Sequence, residues 1–394
     1  MLRTSANASS DTFVIPEVTR TDTGAYWVEL TNGAAKTSST IIPVLVRSST
    51  VLPAITVQPV AAQLSAGGNL ILSVAANAGS SARYQWRKDG VDIPGATGSI
   101  YGKVSQNTTE AGHYSVLVTN EAGATLSQLA SVAYRTASDS RPRLSNLSVR
   151  TQLRPAQPLI VGAVVSGTGK PLLLRALGPA LNQFGLQGVR ETTLELYNSN
   201  QKVLTQQGWE PALSTIFPLV GAFPLTAGST DTAMVRSMGG AFTMHTSAAS
   251  AGAALVELYD ADGGSDQRLI NLSVRNQVGV DSDILIVGLA VGGTGRINLL
   301  LRAVGPMLAA FGVQGVLQDP QVTIYRGETV MATNDNWSAD LIPVFTRVGA
   351  FGLAAGSLDA ALLFNADAGS VYTVHVSGVN NGTGEALVEV YEVP

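Results

Sequence analysis

Apolar and polar positions alternate in short runs along most of the chain, as in TFVIPEV, AYWVEL, NLILSVAA, RYQWRKD, HYSVLVTN, TLELY, VYTVHVSGV and ALVEVYE. Such runs, punctuated by Gly, Asn and Asp at regular spacing, predict strands stacked into β-sandwiches. Helical periodicity is scarce. Two short helical turns are expected in each half of the C-terminal region. One follows Gly-Pro, at Pro179 to Phe184 and Pro306 to Phe311. The other follows a tryptophan, at Pro211 to Phe217 and Ala339 to Phe345.

The strongest long-range signal is a duplication. RLSNLSVR from Arg143 returns as RLINLSVR from Arg268, and LIVG at Leu159 returns at Leu285. GTG at Gly167 returns at Gly293, LLLRALGP at Leu172 returns as LLLRAVGP at Leu299, and VGAF at Val220 returns at Val348. Trp209 matches Trp337, and ALVELY at Ala254 matches ALVEVY at Ala386. The expectation is two homologous sandwich repeats, residues 143–260 and 268–392, with insertions confined to loops. In the opening phrase, Leu144, Leu147 and Val149 (Leu269, Leu272 and Val274) are expected to face a core. Asn146 and Asn271 break the alternation at a bulge.

Residues 54–134 carry a different pattern. NLILSVAANA fits a strand B, RYQWRKDG a strand C with Trp86 as core tryptophan, and TEAGHYSVLVTNEAG a strand F with its exit turn. This stretch resembles bacterial immunoglobulin-like domains of the intermediate-set type. The resemblance implies a tyrosine corner at Tyr114 and puts Val74 and Val116 where the inter-sheet cystine would stand. Residues 1–47 match only strands E to G of that pattern, with Asp22, Gly24 and Tyr26 forming the corner. Half a sandwich cannot cover its own core face, so the natural protein is expected to extend further N-terminally, with a signal peptide upstream.

The tandem repeat resembles the C-terminal unit of large exported bacterial proteins that also carry immunoglobulin-like domains. Its last strands resemble pre-peptidase C-terminal modules. What the resemblance implies is an all-β string of tandem β-sandwiches, immunoglobulin-like and then jelly-roll-like, with no enzymatic activity and no cofactor.

Composition narrows the chemistry. Lys and Arg number 24 against 28 Asp and Glu, so there is no basic surface for nucleic acid. Cysteine is absent, which excludes disulfides, thiolate nucleophiles and Cys-ligated metals. The most apolar stretch, LIVGLAVGG from Leu285, is too short to span a membrane, so no insertion is expected within this chain.

Few residues suggest a site. GTGK at Gly167 lacks the spacing of a phosphate loop and is expected to be a hairpin turn. His245 and His375 occupy equivalent positions in the two copies, so they are not expected to share a metal. Arg175 and Arg302 lie inside apolar strands and need buried partners. By repeat logic the best-placed acids are Asp231 and Asp359, with Glu257 and Glu389 next. An internal salt bridge outweighs a pocket for an anionic sugar. Arg150 and Arg275 also recur, and are expected to close the ends of the opening strands through internal pairs. Trp209 and Trp337, the second beside Asp335 and Asn336, are candidates for a carbohydrate platform, or for plugs beneath a loop. Asp260, Asp262 and Asp266 between the copies are calcium candidates, set against a solvated acidic linker.

The function expected from these features is a non-catalytic extracellular or cell-surface stalk, adhesion or matrix-interaction module. Its expected partners are other surface proteins or polysaccharide. Two alternatives stay open: a carbohydrate-binding accessory region of a larger secreted hydrolase, and a self-assembling filament subunit.

Overall fold

The computed structural model describes residues 12–46, 51–64, 68–79, 81–105, 108–134, 141–155, 157–262 and 267–394. The protein is all-β. Residues 54–134 form the immunoglobulin-like sandwich. Asn69–Ser73 pairs with Ile100–Val104 in one sheet, and Arg83–Lys88 pairs with Gly112–Asn120 in the other. Val74, Trp86, Tyr114 and Val116 share its core, so an apolar contact stands where a cystine could bridge the sheets. The Tyr114 hydroxyl donates to the Glu110 carbonyl at 2.8 Å, closing the corner. The same bond recurs upstream, where Tyr26 donates to the Asp22 carbonyl at 2.8 Å. Around it, Gly24–Tyr26 pairs with Ile42–Val44 and Glu29–Asn32 pairs with Ala35–Ser38. These ladders leave Trp27, Leu30 and Ile42 open to solvent.

The tandem repeat supplies fourteen strands. In copy one they are β1 (Arg143–Leu153), β2 (Leu159–Leu177), β3 (Thr193–Asn198), β4 (Gln201–Gln207), β5 (Thr232–Ser247) and β6 (Gly252–Asp260). Copy two gives β7 (Leu269–Val278), β8 (Leu285–Gly292), β9 (Arg296–Val304), β10 (Pro320–Arg326) and β11 (Thr329–Asn334). It ends with β12 (Ala360–Asp367), β13 (Val371–Gly378) and β14 (Gly384–Glu392).

The two copies do not build separate sandwiches. β1 of copy one pairs with β8 of copy two, and β7 of copy two pairs with the first half of β2 in copy one. One layer therefore runs β11-β10-β13-β8-β1-β6, then the second half of β2 and the first half of β5. The other runs β4-β3, the second half of β5, the first half of β2, then β7-β14-β9-β12. Each layer takes half its strands from each copy. A single core fills the space between, holding Leu147, Val149, Val161 and Leu174 with Leu272, Val274, Val287 and Leu301. The segments 143–260 and 268–392 are homologous in sequence, but the folded unit is both together.

Small residues permit the exchange. Ser148 stands opposite Gly288, and Gly162 opposite Ser273. A Cβ on Gly288 would lie 2.4 Å from the Ser148 Oγ, and one on Gly162 would lie 2.5 Å from the Ser273 Oγ. The NLSVR and LIVG phrases are thus complementary across the exchange, which explains why both are repeated.

The GTG phrases are not hairpin turns. Gly167, Gly169, Gly293 and Gly295 all take φ between 84° and 86°, at the point where the ribbon bends from one layer into the other. That left-handed backbone favours glycine. The expected bulges are present, where the register shifts between Leu144 and Asn146 and between Val164 and Val165. Asn146 and Asn271 use their amides there, donating to the carbonyls of Leu258 at 3.0 Å and Val390 at 3.1 Å. The four expected helical turns form, mostly as 3-10 segments; Ile342–Val348 is α-helical.

Candidate functional site

The buried arginines are structural, and repeat logic ranked their partners wrongly. Register decides the matter: Arg175 lies opposite Glu257, and Arg302 opposite Glu389. Arg175 Nη2 meets Glu257 Oε2 at 2.8 Å, and Arg302 Nε meets Glu389 Oε2 at 3.1 Å. Each guanidinium also donates to a carbonyl, of Phe223 at 2.6 Å and Phe351 at 2.7 Å, and lies 4.3 Å over that residue's ring. Tyr259 and Tyr391 donate to the far carboxylate oxygens at 2.8 and 2.6 Å. Burial pushes both glutamates above the usual carboxylate range despite the arginines. Asp231 and Asp359 do other work. They accept the amides of Gly178 and Gly305, both at 2.8 Å, and so cap the Gly-Pro turns.

Both tryptophans lean on their helical turns as plugs. Trp209 donates to Ser229 Oγ at 3.2 Å beside Phe217, and Trp337 donates to Ser357 Oγ at 3.1 Å beside Phe345. Their indole N–H groups are spent inside the fold. Asp335 and Asn336 are exposed next to Trp337.

The calcium reading fails at Asp260 and Asp262. The Lys170 ammonium, fully buried, sits 2.7 Å from an oxygen of each. Asp266 lies outside the described residues. Burial opposes the Lys170 charge, but the two aspartates outweigh it and hold the ammonium above its usual range. Burial first, and Asp260 second, push the Asp262 carboxyl up to about 6. Burial works against the Asp260 charge too, yet Lys170 and its other partners bring that carboxyl below its ordinary value.

This cluster lies under the joint with the immunoglobulin-like domain. Ile71 and Ile100 of that domain share a core with Leu173, Leu213, Ile216 and Phe217. Asn69 donates its amide to the Asp262 carbonyl and its side chain to the Leu219 carbonyl, both at 3.0 Å. Ser99 bonds Glu210. In copy two the positions of Ala212 and Leu219 hold Asp340 and Arg347, both exposed. The joint is built for copy one alone.

A second feature was not anticipated. On the outer side of one layer, Thr323, His375, Ile286 and Arg150 stand in one cross-strand row, and Tyr325, Thr373, Gly288 and Ser148 in the next. The opposite layer shows Glu195, His245, Ile160 and Arg275, then Tyr197, Thr243, Gly162 and Ser273. Each tyrosine packs on its histidine, at 4.2 Å for Tyr197 and His245 and 4.5 Å for Tyr325 and His375. Burial lowers the proton affinity of both rings; Arg150 adds to this at His375, while Glu195 opposes it at His245. The two histidines therefore occupy opposite faces. Each face needs both copies, because Arg150 and Ser148 come from copy one while the rest of that face comes from copy two. Among the described residues, no acidic and histidine cluster suits a metal ion.

No family model and no curated protein matches the chain. Among solved structures it is similar to an I-band fragment of titin at 11% identity, over 83% of this chain and 89% of that one, with a TM-score of 0.21. Tandem immunoglobulin repeats of Dlar match at 15% identity over 29% of this chain and 64% of that one, with a TM-score of 0.21. Extracellular domains of Drosophila OTK match at 18%, over 30% and 42%, with a TM-score of 0.22. The immunoglobulin-like assignment rests on residues 54–134 themselves: the buried Trp86, the Tyr114 corner and the pairing of their strands. Among the described residues, no helix is long and apolar enough to cross a membrane.

Proposed function

We propose that the chain is a non-catalytic spacer of the cell surface or extracellular matrix, a stalk or adhesion module that sets distance and presents sheet faces for contact. The observation that carries this reading is continuity. The immunoglobulin-like domain is seated on copy one through a shared apolar core, and the two copies share one sandwich. Such a unit transmits force and orientation without a hinge between its repeats. The buried charges support the same reading, because Arg175, Arg302 and Lys170 are each consumed by internal carboxylates. The export and bacterial origin implied by the sequence resemblance belong to this proposal.

Protease treatment of intact producing cells tests it. A surface spacer is cut away while a cytosolic marker survives. Full protection of the chain until lysis would remove the reading.

A further inference from the structure

The two outer faces repeat more faithfully than solvent-facing strands need to. Seven of the eight positions in the paired rows are the same residue type in both layers; only Thr323 against Glu195 differs. The neighbouring exposed strands β4 and β11 do not keep this likeness: aligned on Trp209 and Trp337, they agree at Thr205 and Thr333 and diverge around them. The Ser–Gly pairs in the rows answer to the close approach of the two copies, but the tyrosines, histidines, threonines, isoleucines and arginines do not. Nor does the core explain them, because their side chains point away from it; Leu147, Val149 and Val287 on the alternate positions face inward.

The chemistry of the row pair is specific. Arg150 is partly buried and makes no ion pair among the described residues, in contrast to Arg175 and Arg302. It stands across Ile286 from His375, with the Ser148 hydroxyl on its own strand and those of Thr373 and Thr323 two and three strands away on β13 and β10. Adjacent strands lie about 4.8 Å apart, so these groups span roughly the length of two or three sugar rings. The groups lie side by side on the outer face of a sheet, and a guanidinium matches a carboxylate in plane and charge. Hydroxyls and an aromatic edge beside it suit a chain of sugar units laid across the strands.

We propose that the face carrying Arg150, His375 and Tyr325 binds a carboxylate-bearing polysaccharide, with Arg150 holding the carboxylate. The opposite face has the same geometry, but Glu195 adds an acid beside His245. Glu195 is already engaged by Lys202 at 2.9 Å and by the Tyr197 hydroxyl at 3.0 Å. An incoming carboxylate must compete with Glu195 for the cations there, which makes that face the weaker of the two. The inference goes beyond the spacer role and stands independently of it, since binding is read on the purified chain and not from its location.

The test is retention of the full chain on an immobilised polyuronate, with a neutral glucan and a sulfated glycan as parallel arms. The expected result is retention on the polyuronate and little on the neutral glucan. Arg150→Ala should weaken it by about tenfold or more, the loss of one charge-assisted pair, with the melting temperature unchanged. Glu195→Thr should raise the number of sites per chain from one to two. Equal retention on the neutral glucan, tighter retention on the sulfated glycan, no retention at all, or retention that survives Arg150→Ala would each overturn the assignment.

Discussion

Ser148 faces Gly288 directly across two strands that belong to different copies of the repeat. The hydroxyl occupies the space where a side chain at 288 would begin. Gly288→Ala should therefore destabilise the protein by about 1 kcal/mol, the cost of a small overpacking that a serine rotamer relieves in part. Ser148→Ala leaves only an ordinary 3.8 Å contact at that point, so the double variant should recover most of the loss. Thermal denaturation of the four proteins in a double-mutant cycle measures the coupling. Additive effects would mean that the two positions do not meet.

Glu389→Ala removes the carboxylate from a guanidinium that is fully buried. Stranding that charge should cost about 3–5 kcal/mol. Replacing both partners with apolar residues, Arg302→Met with Glu389→Leu, should cost much less than the single change. Chemical denaturation of both variants separates the two outcomes.

Asp262 gives a pH signature with a definite sign. Its folded carboxyl titrates at about 6 against an ordinary value of 3.8, so the folded state binds the extra proton between those limits. Its contribution to stability must fall as pH rises through that window. Asp260 is shifted the other way and loses its contribution only at lower pH. Asp262→Asn abolishes the first titration, so the variant should lose less stability than the wild type between pH 4 and 6. Glu257 and Glu389 titrate in both proteins and cancel in the difference. Denaturant midpoints across that range check the sign, and parallel curves would refute it.

Ile216 anchors the immunoglobulin-like domain to copy one. Its burial is complete, and replacing it with Asp removes about 1.5–3 kcal/mol of apolar contact and adds a charge to the joint. Ile216→Asp should free the domain without unfolding it. Small-angle scattering should then show a wider spread of dimensions, while the equivalent change Val344→Asp in copy two should leave the domain in place.

Local pattern made much of this fold legible. Trp86, Tyr114, Tyr26 and the four helical turns announce themselves within a few residues of sequence. Pairing across the chain is different. Alternation tells that Ser148 and Arg150 face away from the core, but not that their neighbours are Gly288 and Ile286. The same gap sent the arginine pairing to Asp231 and Asp359: repeat logic finds equivalent acids, and only strand register puts Glu257 and Glu389 opposite the guanidiniums. Asp260 and Asp262 looked like oxygen donors in an open linker because Lys170, far upstream, carries no local sign of ending between them. The His245 and His375 faces went unnoticed as sites for the same reason. Their tyrosines and arginines come from strands that sequence order keeps apart.

The interlocking of the two copies is tested most directly by crosslinking, which the absence of native cysteine makes clean. A Cβ at position 288 would lie 3.8 Å from the Ser148 Cβ, inside the disulfide range, and Gly162 faces Ser273 in the same way across the other layer. Ser148→Cys with Gly288→Cys, and separately Gly162→Cys with Ser273→Cys, should each oxidise to a bond within one chain, seen as faster migration on a non-reducing gel and loss of both titratable thiols. Thiols that stay free in both pairs, or bonds that join separate chains, would contradict the shared sandwich.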